Sequence, residues 1–142
     1  MAANTAPIFS GTGDIQWAAT PLTAANTNFD GTGANSVLVA TAGASGSFIQ
    51  RIRFRASGSA TATVARIFLN NGQSTGSAAN NTLFDEITLA ATTATQTSAQ
   101  PVYEIPCNFA LPAGYKIVAT IGTAQATGGW YVSSVGGSYA TI

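Results

Sequence analysis

Residues 48–70 read FIQRIRFRASGSATATVARIFLN, two runs of strand character separated by a Ser/Gly-rich turn. In the first run Ile52, Phe54 and Ala56 alternate with Arg51, Arg53 and Arg55, the two-residue period of a strand with one buried and one exposed face. The two runs around SGS read as a hairpin with a core side and a charged side. Three of the four arginines of the chain stand on that charged side. Three roles fit the row: a ladder of internal ion pairs with Glu86, Glu104 or the neighbours of Arg66, contact with an acidic protein surface, or a nucleic-acid groove. The last wants net positive charge, and the chain has none.

Outward from this stretch the same grammar recurs. Asp14–Ala18 alternates, with Ile15 and Trp17 on one side, so Trp17 is either core or contact. Residues 20–33, TPLTAANTNFDGTG, form a long loop around Pro21 and Asp30-Gly31 that can still donate Leu22 and Phe29 to the core. Ser36–Ala40 (SVLVA) is short, apolar and β-branched, a buried strand. Residues 70–77 are a glycine- and amide-rich loop, and Leu83–Ala90 is a strand whose Ile87 and Leu89 face inward. Residues 91–100 are too long for a hairpin turn and are expected to span between sheets. Pro106 confines Val102–Leu111 to an edge or a bulge. Lys116–Gly122 alternates cleanly. Two glycine pairs, Gly128-Gly129 and Gly136-Gly137, precede Trp130–Val135 and Ser138–Ile142, which suggests a closing strand pair. Trp130 and Tyr131 are adjacent and point to opposite faces, so one of them is a candidate subunit contact. Residues 1–13 are mostly small and polar apart from Pro7, Ile8 and Phe9, and read as an arm that either frays or lies across a neighbour; Ile8 and Phe9 are its candidate contacts.

Eight or nine short strands with turn signals every eight to twelve residues and no helical period indicate an all-β chain. The long connections favour a jelly-roll-like, two-sheet antiparallel sandwich of about eight strands, with residues 14–142 as one domain behind the arm, over a closed up-and-down barrel. The length, 142 residues, suits one core.

Composition narrows function. Charged residues make up 7%, against roughly 25% in ordinary domains, and five acids balance five bases. Such a neutral surface favours association, so an oligomer or a component of an assembly is expected. The chain contains no histidine, which removes the commonest general base, the Ser-His-Asp triad and the commonest metal ligand. With one cysteine, Cys107, no internal disulfide can form; beside Pro106 and Asn108 it reads as a small packed residue. The five carboxylates, Asp14, Asp30, Asp85, Glu86 and Glu104, are the only acidic groups for a glycosidase pair or a calcium site, and adjacent Asp85 and Glu86 point apart on a strand. GTGDIQW and DGTGANS lack the Lys-Ser/Thr of a phosphate loop. The expectation is therefore no enzyme, no catalytic residue, no metal and no cofactor. No secretory signal or membrane-spanning run is read, and neither a membrane nor a nucleic acid is expected as partner.

Across nearly its full length, in NTAPIFS, RIRF and TVARIFLNNG, LFDEITLAATTAT, LPAGYKIVATIGTA, and the closing GGW and GGSYATI, the chain resembles capsid cement (decoration) proteins of tailed bacteriophages, of the kind on short-tailed phages such as the Bordetella phage. The resemblance implies a jelly-roll structural subunit made in the bacterial cytoplasm and carried on the outside of the virion. It implies that the subunit binds the major capsid protein of an HK97-type shell, bridges neighbouring capsomers as a homodimer on local two-fold positions, and resists the pressure of packaged DNA. No catalytic residue carries over. The rival from another class is a carbohydrate- or host-receptor-binding jelly-roll module of a phage fibre or lectin type, which would expose Trp17 or Trp130 over a concave face beside Asn, Asp and Gln.

Overall fold

The computed structural model describes residues 10–140, which build eight strands and no α-helix. In chain order they are β1 (Ser10–Trp17), β2 (Val37–Thr41), β3 (Ser47–Ala56), β4 (Thr63–Asn70), β5 (Asn81–Leu89), β6 (Val102–Leu111), β7 (Lys116–Ile121) and β8 (Trp130–Tyr139). They form two four-stranded antiparallel sheets, ordered β1-β8-β3-β6 and β2-β7-β4-β5. Successive strands alternate between the sheets except at β4 and β5, the strand order of a jelly roll.

The alternation read in residues 48–56 is observed: Ile52 and Phe54 are fully buried, and the arginines point away from the core. The hairpin is not. β3 and β4 lie in different sheets, because residues 57–62 turn a corner between layers, pinned by the Ala60–Thr92 bridge, instead of reversing within one. The loops 20–33 and 91–101 do change sheet as expected. The closing strand pair is a single strand, β8, running through Gly136-Gly137. Glycine is required there for close approach: a Cβ on Gly136 would collide with the Phe48 carbonyl oxygen of β3. β1 takes in Ser10–Gly13, four residues of the stretch read as arm, while Ile8 and Phe9 lie outside the described residues.

Between the sheets sits one apolar core. Ile49, Ile52, Phe54, Ile105, Trp130 and Val132 of the first sheet meet Val39, Ala65, Ile67, Ile117, Ala119 and Ile121 of the second. Leu22 and Leu89 join it, and Ile87 packs at its margin. Trp130 stacks edge-on against Tyr103, with centroids 5.8 Å apart. Removing a side chain such as Phe54 from this layer is expected to cost about 3–5 kcal/mol.

Outside the core the two sheets differ. The outer face of the second sheet is roofed by the β1–β2 loop, so that Phe68, Val118 and Thr120 are buried although they belong to no inner face. The loop is held by backbone bonds from Asn26 N–H to Ile121 C=O (2.7 Å) and from Gln125 N–H to Thr23 C=O (2.8 Å), and by the Asn26 and Asn28 amides on Thr32 C=O. Phe29 does not enter the core. It is exposed and lies over the Arg66 guanidinium, 4.1 Å from ring centroid to Cζ. Among the described residues nothing roofs the outer face of the first sheet.

Candidate functional site

That uncovered face can be read off the register in three rows. One row runs Tyr131–Arg55–Val102 across β8, β3 and β6. The next runs Trp17–Ser133–Arg53–Glu104 across all four strands, and the third Ile15–Val135–Arg51–Pro106. Because β-strand side chains alternate, the same register that buries Ile52, Phe54, Trp130 and Val132 forces these residues outward.

The face is apolar at one side and charged in the middle. Trp17 is 69% exposed, Ile15 62% and Tyr131 55%. Exposed Leu38 of β2 stands beside the first two, and with Ala19, Val39 and Ala40 they line a groove of about 380 Å³. Four large apolar side chains exposed on one side of a small domain mark an interaction surface rather than scattered surface hydrophobics.

The arginine row is only partly neutralised, since one carboxylate, Glu104, serves two of its three cations. Arg53 donates two hydrogen bonds, from Nε (2.9 Å) and Nη2 (2.7 Å), to Glu104 Oε1, and Arg51 Nε lies 3.7 Å from the same oxygen. Arg53 and Glu104 sit directly opposite each other on β3 and β6, which places the ion pair by register. Arg55 meets no carboxylate among the described residues and stands between Tyr131 and Val102. Of the three roles open to the row, internal pairing is seen for Arg51 and Arg53.

Of the two tryptophans, only Trp17 is available at the surface. Trp130, a candidate contact from sequence, is completely buried, because its inward phase on β8 puts it beneath Tyr103; its neighbour Tyr131 takes the outward position. Sequence reasoning also missed Leu38, which it buried with the rest of SVLVA. Only Val39 and Ala40 are buried there, and a β-bulge at that point turns Leu38 outward.

The carboxylates are spent on structure. Asp14 Oδ2 accepts from the hydroxyls of Ser47 (3.0 Å) and Ser138 (2.9 Å), joining β1 to β3 and β8. Glu86 binds Arg66 at 2.7 Å. The Thr32 hydroxyl, at 2.6 Å, and the Thr32 N–H hold the Asp30 carboxyl below its usual range. No cluster of three potential metal ligands occurs among the described residues. Cys107 is half-buried against the core margin, and burial, with the Asp85 carboxylate adding to it, pushes its thiol up to about 11. A protonated, partly enclosed thiol is a poor nucleophile.

A second concavity, of about 310 Å³, opens at one end of the sandwich, with Leu69, Phe109, Leu111 and Tyr115 among its walls and Asn70, Asn71, Asn80 and Asn81 around them. These amides are engaged within the 70–82 loop: Asn70 Nδ2 donates to Asn81 Oδ1 at 2.8 Å, and Asn80 and Asn81 donate to Ser74 and Thr75 carbonyls, each at 2.9 Å.

No protein-family model, no curated protein and no solved structure matches the chain.

Proposed function

We propose that this chain is a structural virion protein that seats on the outer surface of an HK97-type phage capsid, binds the major capsid protein and bridges neighbouring capsomers. The observation that carries this is the unroofed face of β1-β8-β3-β6. It is a flat surface with a Trp17–Ile15 apolar side, an outward Tyr131 and one uncommitted cation, Arg55, suited to a protein partner. The chemistry of the remaining side chains supports it: the acids are tied to hydroxyls, backbone or guanidinium groups, and the thiol is protonated. The sequence phrases shared with cement proteins supply the identity of the partner. Many copies on one shell would add up weak individual contacts into firm attachment.

The test is co-sedimentation of the purified protein with phage shells that lack it. Saturation at a fixed ratio to the major capsid protein is the expected result, with Tyr131→Ala and Arg55→Ala weakening attachment. Because Glu104 offsets only one of the row's three positive charges, raised salt should weaken attachment if the row meets an acidic surface. Failure to bind any shell would overturn the proposal.

The second reading, a glycan-binding module, draws on the end cleft with Tyr115 and its asparagines. It is weaker, since those amides already bond within their own loop and the one amide in the Trp17 groove, Gln16, is bonded to the Thr41 backbone. Retention on a glycan surface, abolished by Tyr115→Ala, would favour it.

A further inference from the structure

A sandwich of this order has four free edges, on β1, β6, β2 and β5. Natural edge strands are guarded against pairing with other chains by proline, charge, bulges, shortness or a covering group. Three of these four are guarded. β6 carries Pro106 and, beside it, an extra residue against β3 between Pro106 and Phe109. β5 carries Asp85 and Glu86 and a register shift beside Phe84. β2 has five residues and a bulge, and its outward Thr41 N–H and C=O are both taken by the Gln16 carboxamide, each at 2.9 Å.

Among the described residues, β1 has none of these devices along Thr12–Trp17. It is eight residues long, without proline or a basic residue, and its single charge, Asp14, is turned to Ser47 and Ser138. The phase of its pairing with β8 is fixed by the bond from Ala18 N–H to Val132 C=O (3.0 Å). In an antiparallel ladder inward and outward bonding alternate, so residues 14 and 16 bond to β8 while Gly13, Ile15 and Trp17 aim their N–H and C=O groups at the free edge.

We propose that a second copy of this chain occupies this edge, the two β1 strands pairing antiparallel about a two-fold axis through Ile15. The inference deepens the reading of the chain as an assembling module and rests on it, by naming where its self-contact lies. A two-fold places each strand's outward groups against the same set on its mate, which is what an isologous contact requires. Ile15 then faces Ile15, and Gly13 faces Trp17 of the second copy. Gly13 is the position where such a partner fits: no heavy atom lies within 4 Å of where its Cβ would be, leaving room for an indole to lie over the bare backbone. No outward charge on either strand opposes the approach. The product is one continuous eight-stranded sheet, with Trp17 and Ile15 of both copies covering the seam.

The test uses the full chain in sedimentation velocity. Wild type is expected to be a dimer. Ile15→Pro removes an N–H that the fold does not use and blocks the seam; Trp17→Lys puts a charge at each Gly13–Trp17 contact. Both are expected to be monomers with an unchanged far-ultraviolet spectrum, and if Ile15→Pro fails to fold, Trp17→Lys decides. In a Cys107→Ser background, Ile15→Cys should oxidise to a disulfide-linked dimer, because facing residues of such a pair lie about 5.5 Å apart between Cα atoms. Thr27→Cys, exposed on the roof loop, should not. A monomeric wild type, a dimer that survives Trp17→Lys, or a stable complex with a different polypeptide on this edge would overturn the proposal. A monomer that still sediments with shells would overturn this inference alone; a β1-paired dimer that binds no shell would overturn only the capsid assignment.

Discussion

Replacing Glu86 by glutamine should destabilise the fold by about 2 kcal/mol, between the limits set for exposed and buried ion pairs. Arg66 stands on the outer face of β4 directly opposite Glu86 of β5, with Nε 2.7 Å from Oε1 and the Phe29 ring over its guanidinium. The arginine side chain is only 11% exposed and the carboxylate 42%. An exposed pair would contribute about 0.2–1 kcal/mol. Orphaning a fully buried charge would cost about 3–5 kcal/mol. Here the cation is enclosed and the anion is half open to water, which places the cost midway. At about 2–4 °C per kcal/mol for a domain near this size, the melting temperature should fall by roughly 4–8 °C. The informative comparison is Arg66→Met with Glu86→Leu, which removes both charges and leaves neither unpaired. It should be less damaging than Glu86→Gln alone. Urea unfolding followed by tryptophan fluorescence measures all three proteins. A loss below about 0.5 kcal/mol for Glu86→Gln, the range of ordinary surface substitutions, or a double variant worse than the single, would refute the view that Phe29 and its loop hold Arg66 out of water.

Gly136→Ala should cost about 2–4 kcal/mol, or prevent folding, through its collision with the Phe48 carbonyl, whereas Gly76→Ala would meet nothing nearer than Ser74 Oγ at 3.5 Å and should stay within about 0.5 kcal/mol; thermal melts compare the two. Trp130→Ala should lose about 3–5 kcal/mol and Tyr131→Ala under about 1 kcal/mol, a contrast that unfolding curves of these sequence neighbours will show. Cys107, raised to about 11, should react slowly with iodoacetamide at pH 8 in the native protein and rapidly in denaturant; equal rates would contradict its placement. Asp30 is held below its unfolded value, so its contribution is present above the ordinary carboxylate range and disappears as pH falls through the lowered value. The protection of the 26–36 loop amides relative to their intrinsic exchange rate should fall in acid, and in Asp30→Asn should lose that pH dependence.

The period of residues 48–56 was legible because alternation in a half-buried strand is a local property, and it named both the core pair Ile52 and Phe54 and the outward arginines. Which strand lies beside which is not local. The SGS turn at 57–59 has the composition of a hairpin, but a corner between sheets needs the same residues, and only the distant Thr92 distinguishes them. Gly136-Gly137 misled in the opposite way: its glycine is set by the backbone of a strand almost 90 residues earlier in the chain, not by a turn. The exposed side of the site was half visible. Trp17 was marked as core or contact, but the exposure of Leu38 depends on a bulge in β2 for which the sequence carries no signal, and the choice between Trp130 and Tyr131 depended on strand phase.

The position of β8 has a consequence for how the molecule comes into being. It is an interior strand, bonded to β1 on one side and β3 on the other, so before it arrives the first sheet can hold no more than the β3–β6 pair. Until residues 130–139 are in place, β1 has no neighbour in its own layer and β3 has only β6. Ordering must await the closure of very long loops, which slows folding to the millisecond-to-second range of all-β domains and makes acquisition of the native state an event that follows synthesis of nearly all the described chain. During that interval the β1 segment is exposed along both of its edges.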